Sequence, residues 1–377
     1  MRQGLWNLGV CSLLVASVFG QSSEDLDRWS AGQVAPVRDA ELDGITLEAD
    51  LVVELTSATP AGSTARYLSS MRLAADLDEL VGASGWSAFV DVRSAAGRSV
   101  SDRLGDVSGV SNLEGDATAL SELWLASAIG AAEVRVGLLD ANAHFAALEP
   151  AENFFNASVG TSPTLLGIPT WPETAVGAEW VCRGDEGWQL AAGLFAGSTR
   201  GALRVEGRPE SSDGLYLIAE TGYRWDCGRV GFGHWHDTGD FELLDGGVTR
   251  GTSGSYALAE WTPYRERDDS PEGLTLFGSL GLGEEGVADA HLHSLVGGVY
   301  QGLIPRREND ALGLMISRVQ AGSDGSDRPE SATELFYRAQ VLDEVSLTAS
   351  VQHLANPGGS GLDEDALVVG FRMELTL

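Results

Sequence analysis

The stretch Ala366-Leu367-Val368-Val369-Gly370-Phe371-Arg372-Met373-Glu374-Leu375-Thr376-Leu377 decides the fold. Successive side chains of an extended strand point to opposite faces. One face therefore carries Leu367, Val369, Phe371, Met373, Leu375 and Leu377, all apolar. The other carries Val368, Gly370, Arg372, Glu374 and Thr376. A soluble sheet can produce one strand of this kind, so the argument turns on recurrence.

The alternation recurs in Ile45–Leu55, Glu133–Leu138, Leu215–Trp225, Glu334–Val341 and Val345–Gln352, with period two and not 3.6. Strand-like segments fall at 44–56, 65–77, 86–98, 118–127, 132–139, 173–182, 187–196, 214–225, 228–238, 252–264, 272–283, 290–303, 309–321, 331–341, 345–354 and 366–377. That even number suits an all-β, transmembrane antiparallel β-barrel of about sixteen strands. Short connections (Ala128–Ala131, Arg183–Glu186, Asp226–Cys227, Ile304–Glu308, Leu342–Glu344) alternate with long Gly- and Asp-rich ones. The long set is Ser99–Ala117, Asp140–Pro172, Gly197–Asp213, Gly239–Gly251, Gly322–Glu330 and Ala355–Asp365. Outer-membrane barrels show this rhythm of tight periplasmic turns and long extracellular loops; a soluble sandwich has no reason for it. Asp76–Gly85 and Arg265–Pro271 are long for turns.

The N-terminus predicts export. Arg2 precedes the apolar run Leu5–Phe19, and small residues follow near Gly20–Ser22, so residues 1–21 read as a signal peptide. The run is too short for a membrane helix, and no later segment is long enough. Residues 22–43, acidic and patternless, read as a periplasmic extension, and 44–377 as the barrel. A net charge of −31, with 24 basic residues that are all Arg, excludes nucleic acid and disfavours anionic solutes. Cys182 and Cys227 fall at the periplasmic end, two strands apart; they can pair as a disulfide or stay reduced.

Three stretches resemble the carbohydrate-selective porin family of bacterial outer membranes, the OprB type. The first is Asp76-Leu77-Asp78-Glu79-Leu80, Gly85-Trp86-Ser87-Ala88-Phe89, then residues 105–114 and Glu122-Leu123-Trp124. The second is Arg135-Val136-Gly137-Leu138-Leu139-Asp140-Ala141-Asn142, Phe145-Ala146, Phe155-Asn156-Ala157-Ser158 and Pro169-Thr170-Trp171-Pro172-Glu173-Thr174-Ala175. The third is Asn356-Pro357-Gly358-Gly359 with the final strand. The matches run in family order from about residue 76 to the end and are weakest over 200–330. One departure is the terminal Leu377, where such barrels commonly finish on Phe. The resemblance implies a sixteen-stranded passive diffusion channel in the outer membrane, surrounded by lipid and admitting sugars. Assembly machinery would engage the C-terminal strand, and a homo-oligomer is compatible with it.

If the apolar faces meet lipid, the polar faces line the lumen. That predicts a wall of Glu48, Asp50, Glu54, Asp91, Arg93, Glu122, Trp124, Glu133, Arg135, Glu220, Arg224, Arg338, Arg372 and Glu374. Mixed guanidinium and carboxylate suits sugar hydroxyls, which both donate and accept. The same groups can equally neutralise one another across neighbouring strands. The loop Asp140–Pro172 is the candidate inward-folded constriction, through His144, Phe145, Glu149, Phe154, Phe155, Asn156 and Trp171. Its aromatics can stack on a sugar ring or pack the loop against itself. Tyr223 and Trp225 read as an interfacial aromatic girdle. The pairs His234/His236 and His291/His293 each put two imidazoles on one strand face, but no carboxylate or Cys completes a metal set, so no metal or cofactor is expected. No nucleophile elbow, phosphate loop or zinc-hydrolase motif is present, and no enzymatic role is expected. The alternatives left open are a non-conducting structural or adhesive barrel and a secreted β-rich polysaccharide-binding protein.

Overall fold

The structure, a computed structural model, describes residues 44–377 apart from 114–115, 185, 197–213, 244–245, 268–269, 289, 322–327 and 360–363. The expected signal peptide, the extension 22–43 and the connection 197–213 lie outside the described residues. Sixteen strands form one closed antiparallel sheet. They are β1 (Ile45–Thr59), β2 (Gly62–Asp76), β3 (Trp86–Gly97), β4 (Ala117–Ile129), β5 (Ala132–Leu139), β6 (Ala175–Arg183), β7 (Trp188–Ala196) and β8 (Leu215–Trp225). The second half comprises β9 (Gly228–Glu242), β10 (Val248–Arg265), β11 (Gly273–Gly283), β12 (Ala290–Gln301), β13 (Ala311–Ala321), β14 (Glu330–Leu342), β15 (Val345–Ala355) and β16 (Ala366–Thr376). Each strand pairs with its neighbours in sequence, and β16 closes onto β1 from Asp50↔Thr376 to Thr59↔Leu367. Closure leaves no strand with an unpaired backbone row, the condition for a sheet to sit in hydrocarbon.

Every predicted segment is a strand, but the boundaries differ at informative places. The expected long loop Gly239–Gly251 is mostly hairpin: β9 and β10 run on to Glu242 and Val248, with a bulge between Arg250 and Thr252. The β1–β2 connection is only Pro60–Ala61, so the long/short rhythm has an exception at its first member. The long turn after β2 holds a short helix, Leu77–Val81. Asp76 caps it by accepting from the Asp78 and Glu79 amides, and Gly82 ends it at φ 72°.

The outer surface is apolar as the alternation predicts: Leu123, Leu125, Val136, Leu215, Leu217, Leu335, Val351, Leu367, Val369 and Phe371 all lie exposed. Exposed Trp86, Trp188, Tyr223, Trp225, Trp261 and Tyr264 gather at the strand ends nearest both termini of the barrel. Trp188 and Tyr223 lie 5.1 Å apart between ring centroids, and Tyr223 and Trp225 6.2 Å. This ring is the amphipathic belt that an interface selects.

A second apolar system sits inside the barrel. The connection 140–174, here L3, folds into the lumen, and its Phe145, Leu148, Phe154, Val159 and Leu165 are buried. They belong to one core with lumen-facing Phe195, Tyr216, Ile218, Trp235, Tyr256, Leu258, Phe277, Met315 and Phe336 of β7–β14. Phe154 meets Phe277 and Phe336 edge-on, at 5.6 and 4.7 Å. Both faces of these strands are therefore apolar, one toward lipid and one toward L3.

Candidate functional site

L3 is tied to the wall through its backbone. The Glu220 carboxylate accepts from the Ala146 amide (3.0 Å) and the Tyr256 hydroxyl (2.7 Å). Glu260 accepts from the Glu149 amide (2.8 Å) and from Arg229 Nε and Nη2 (2.9 and 2.8 Å). Glu334 takes the Phe155 and Asn156 amides, both at 2.9 Å, and the Ser350 hydroxyl at 2.7 Å. An amide carried into the barrel loses water and needs an acceptor, which these ionisable side chains supply. His293, fully buried on β12, bonds Ser162 (2.9 Å) and Ser317 (3.0 Å), and Ser317 in turn meets Ser158 (2.8 Å). The connection 98–116, here L2, joins from the other side: Glu330 accepts the Val107 and Ser108 amides at 2.8 Å. L3 donates from Ala157 to Gly109 O (2.8 Å) and from Ser158 to Ser108 O (2.9 Å).

Because L3 packs on β7–β13 and on Glu334 and Phe336 of β14, the open part of the lumen runs beside the remaining wall, from the Arg338 end of β14 round to β6. There the side chains come as charge pairs. Arg72 of β2 bridges Glu48 (3.3 Å) and Asp50 of β1. Arg93 donates through Nε to Asp91 (2.6 Å), with its side chain 24% exposed and its Nη amines making no hydrogen bond among the described residues. Arg338 reaches Glu374 (3.4 Å), and Glu133 and Glu179 flank Arg135 beside His144. From the loop side, Glu149 meets Arg224 at 2.7 Å with both side chains about half exposed. Aromatic rings interleave. Phe89 stacks on Trp124 at 5.0 Å, the Arg135 guanidinium lies over Trp124 at 5.2 Å, and Arg93 lies over Trp171 at 5.8 Å.

The sequence-derived residues divide accordingly. Glu48, Asp50, Arg93, Glu133, Arg224, Arg338, Glu374, His144 and Trp171 keep access to the lumen. Asp91, Glu122, Trp124, Arg135, Glu220, Glu54 and Arg372 are buried, and serve as pairing or loop-holding groups. Within L3, Phe145, Phe154, Phe155 and Asn156 are also buried, so here the packing alternative describes them. The missed participants are Arg72, Glu179, Arg229, Glu260 and Glu330, together with Glu152, which is exposed on the L3 turn Glu149–Asn153. Face parity within β2 marks Arg72. Parity cannot mark Arg229 and Glu260, because neighbouring lumen positions carry Gly, Leu and Tyr. His234 and His236 point outward. A bulge between Ala290 and Leu292 breaks the alternation, so His291 and His293 do not share a face. Cys182 and Cys227 are free thiols. Register aligns Cys182 with Leu190 and then Thr221, so Cys227 lies roughly 15 Å or more away, beyond the 7 Å Cα limit of a disulfide.

Comparisons with known proteins agree with this geometry. Residues 63–377 match the family described as carbohydrate-selective porin, OprB family. Porin B of Pseudomonas aeruginosa is 22% identical over 98% of this chain and 96% of its own length. The high-pH structure of Pseudomonas putida OprB superposes with a TM-score of 0.77 at 17% identity, covering 89% of this chain and 94% of that one. An anion-selective porin from Comamonas acidovorans superposes at 0.58 and 12%, covering 89% and 100%. With its closed sixteen-stranded barrel and a match across most of its length, the chain belongs to the carbohydrate-selective porins of the OprB family, channels of the bacterial outer membrane.

Proposed function

We propose that carbohydrate crosses the eyelet between the L3 turn Glu149–Asn153 and the wall carrying Arg72, Arg93, Arg338 and Glu374, with Trp171 and Arg93 as the contact for the sugar ring. Flux is passive diffusion down the gradient. The observation that carries the reading is the Arg93–Trp171 pair, a partly exposed guanidinium 5.8 Å from an aromatic centroid with donors to spare. A sugar hydroxyl leaving water needs both donors and acceptors; an aromatic face covers its C–H surface. The paired charges beside it offset one another in part, and radius and lining groups set selectivity in such channels. The exposed pairs contribute little to stability, which suits a surface kept for solute contact.

Liposome swelling tests this. Arg93→Ala and Trp171→Ala should each lower the rate for monosaccharides relative to an uncharged non-sugar of similar size by roughly two- to fivefold, a loss of contacts worth about 0.5–1 kcal/mol each. Equal ratios in wild type and both variants would remove the pair from the path.

A further inference from the structure

The alternation of β16 puts Arg372 on the lumen wall, and its surroundings there give it another role. It sits on β16 directly opposite Glu54 of β1, at the seam where the last strand closes onto the first. Its Nε and Nη2 donate to Glu54 Oε2 at 3.1 and 2.6 Å, and both side chains are buried, at 2% and 0% exposure. Seam pairing alone would account for that much. Two further partners come from elsewhere in the chain. Nη2 also donates to Asn112 Oδ1 of L2 at 2.6 Å, and the Phe155 ring of L3 lies over the guanidinium at 4.0 Å from Cζ to centroid. Phe155 can come that close because Gly370 precedes Arg372 on the same face, where an added Cβ would lie 2.6 Å from the ring. Asn112 then donates its own amide hydrogen to Phe154 O at 3.1 Å, joining the two loops beside the contact.

A guanidinium offers five donors in one plane and two faces for stacking, so one Arg can serve a carboxylate, an amide oxygen and an aromatic ring together. A Lys there would keep the charge and lose the fork and the stack. We propose that Arg372 is a positioning residue of the eyelet: it ties L2 and L3 to the β1–β16 seam, so that barrel closure sets the cross-section open to solute. Arg372 touches no solute itself. The inference rests on the L3 eyelet being the sieve. It adds that the sieve's width is held from the seam as well as from the carboxylates Glu220 and Glu260 on the far wall and Glu334 on β14, two strands from the seam.

The test uses the full barrel folded into vesicles, with fold checked by the faster gel mobility of the unboiled protein. The double variant Asn112→Ala/Phe155→Leu alters only the loops and leaves the Arg372–Glu54 pair whole. Arg372→Lys keeps the charge, and Arg372→Ala removes every contact. Swelling is read across a series from monosaccharide to tetrasaccharide, with single-channel conductance alongside. The loop variant and Arg372→Lys should both stay folded, raise conductance and raise the tetrasaccharide rate relative to monosaccharide by about twofold or more. A role confined to seam stability would leave the size series of the loop variant unchanged, and that outcome overturns the proposal even if Arg372→Ala fails to fold. A wild-type protein that passes all sizes alike would instead bring down the eyelet reading itself.

Discussion

Glu152 shows how position within the lumen changes a single residue. It stands on the L3 turn inside the barrel and has no ion-pair partner among the described residues. Enclosure by the barrel is the largest influence on its proton affinity, and the like charge of Glu149 comes next. Glu374 and Glu260 push the same way and Arg338 opposes them, so Glu152 is raised to about 7. Protonation removes one negative charge from the eyelet. Cation preference, read as reversal potential across a salt gradient in planar bilayers, should therefore fall as pH drops from 8 to 6, with a midpoint near 7. Glu152→Gln should flatten that dependence. A variant that still titrates with the same midpoint would assign the effect to another group.

Among the elements, the strands differ in what their two faces meet. On β1–β5 one face meets lipid and the other carries charged groups of the lumen wall, so apolar and polar residues alternate. β15 and β16 alternate too, but their inner Ser346, Thr348, Ser350, Gln352 and Arg372 are buried, and β14 meets L3 through Glu334 and Phe336. On β7–β13 the inner face meets L3, and Phe195, Tyr216, Trp235, Tyr256, Phe277 and Met315 stand where alternation predicts polar groups. Face assignment can be tested on β4, where Leu123 points outward near the strand's middle and is 49% exposed while Glu122 points inward. Leu123→Arg should lower unfolding stability in vesicles by about 2–4 kcal/mol, the cost of a charge near the bilayer midplane. Denaturant titration by tryptophan fluorescence measures it, and a loss under about 0.5 kcal/mol would mean that Leu123 does not face hydrocarbon.

For the whole molecule, closure is the organising fact. It fixes which strands are neighbours, and so where distant residues lie relative to one another. The cysteines illustrate the consequence. Counting strands alone puts Cys182 and Cys227 two strands apart at one end, whereas the register separates them along the sheet as well. Denatured without reductant, the protein should alkylate at both positions by mass spectrometry. Recovery of a peptide pair linking them would contradict the register. Closure also gives a net charge of −31 a structural setting. Several described lumen carboxylates are matched by Arg, as at Glu48–Arg72, Asp91–Arg93, Glu260–Arg229 and Glu54–Arg372, while Glu220, Glu330 and Glu334 are held by loop amides.

The amino-acid sequence by itself determined the strands, their number and the lipid-facing residues, because alternation and turn spacing are local properties that bilayer solvation imposes strand by strand. The inward fold of the loop 140–174 was legible as a candidate through its length and aromatics. Which polar residues remain open to solute was decided only by tertiary structure. Glu220 and Arg372 read from sequence like Glu48 and Arg93, and they differ because L3 and L2 reach across the lumen and bury the first pair while leaving the second wet. That choice depends on contacts between residues 74 to 318 positions apart, such as Ala146–Glu220 and Glu54–Arg372, which no local pattern encodes.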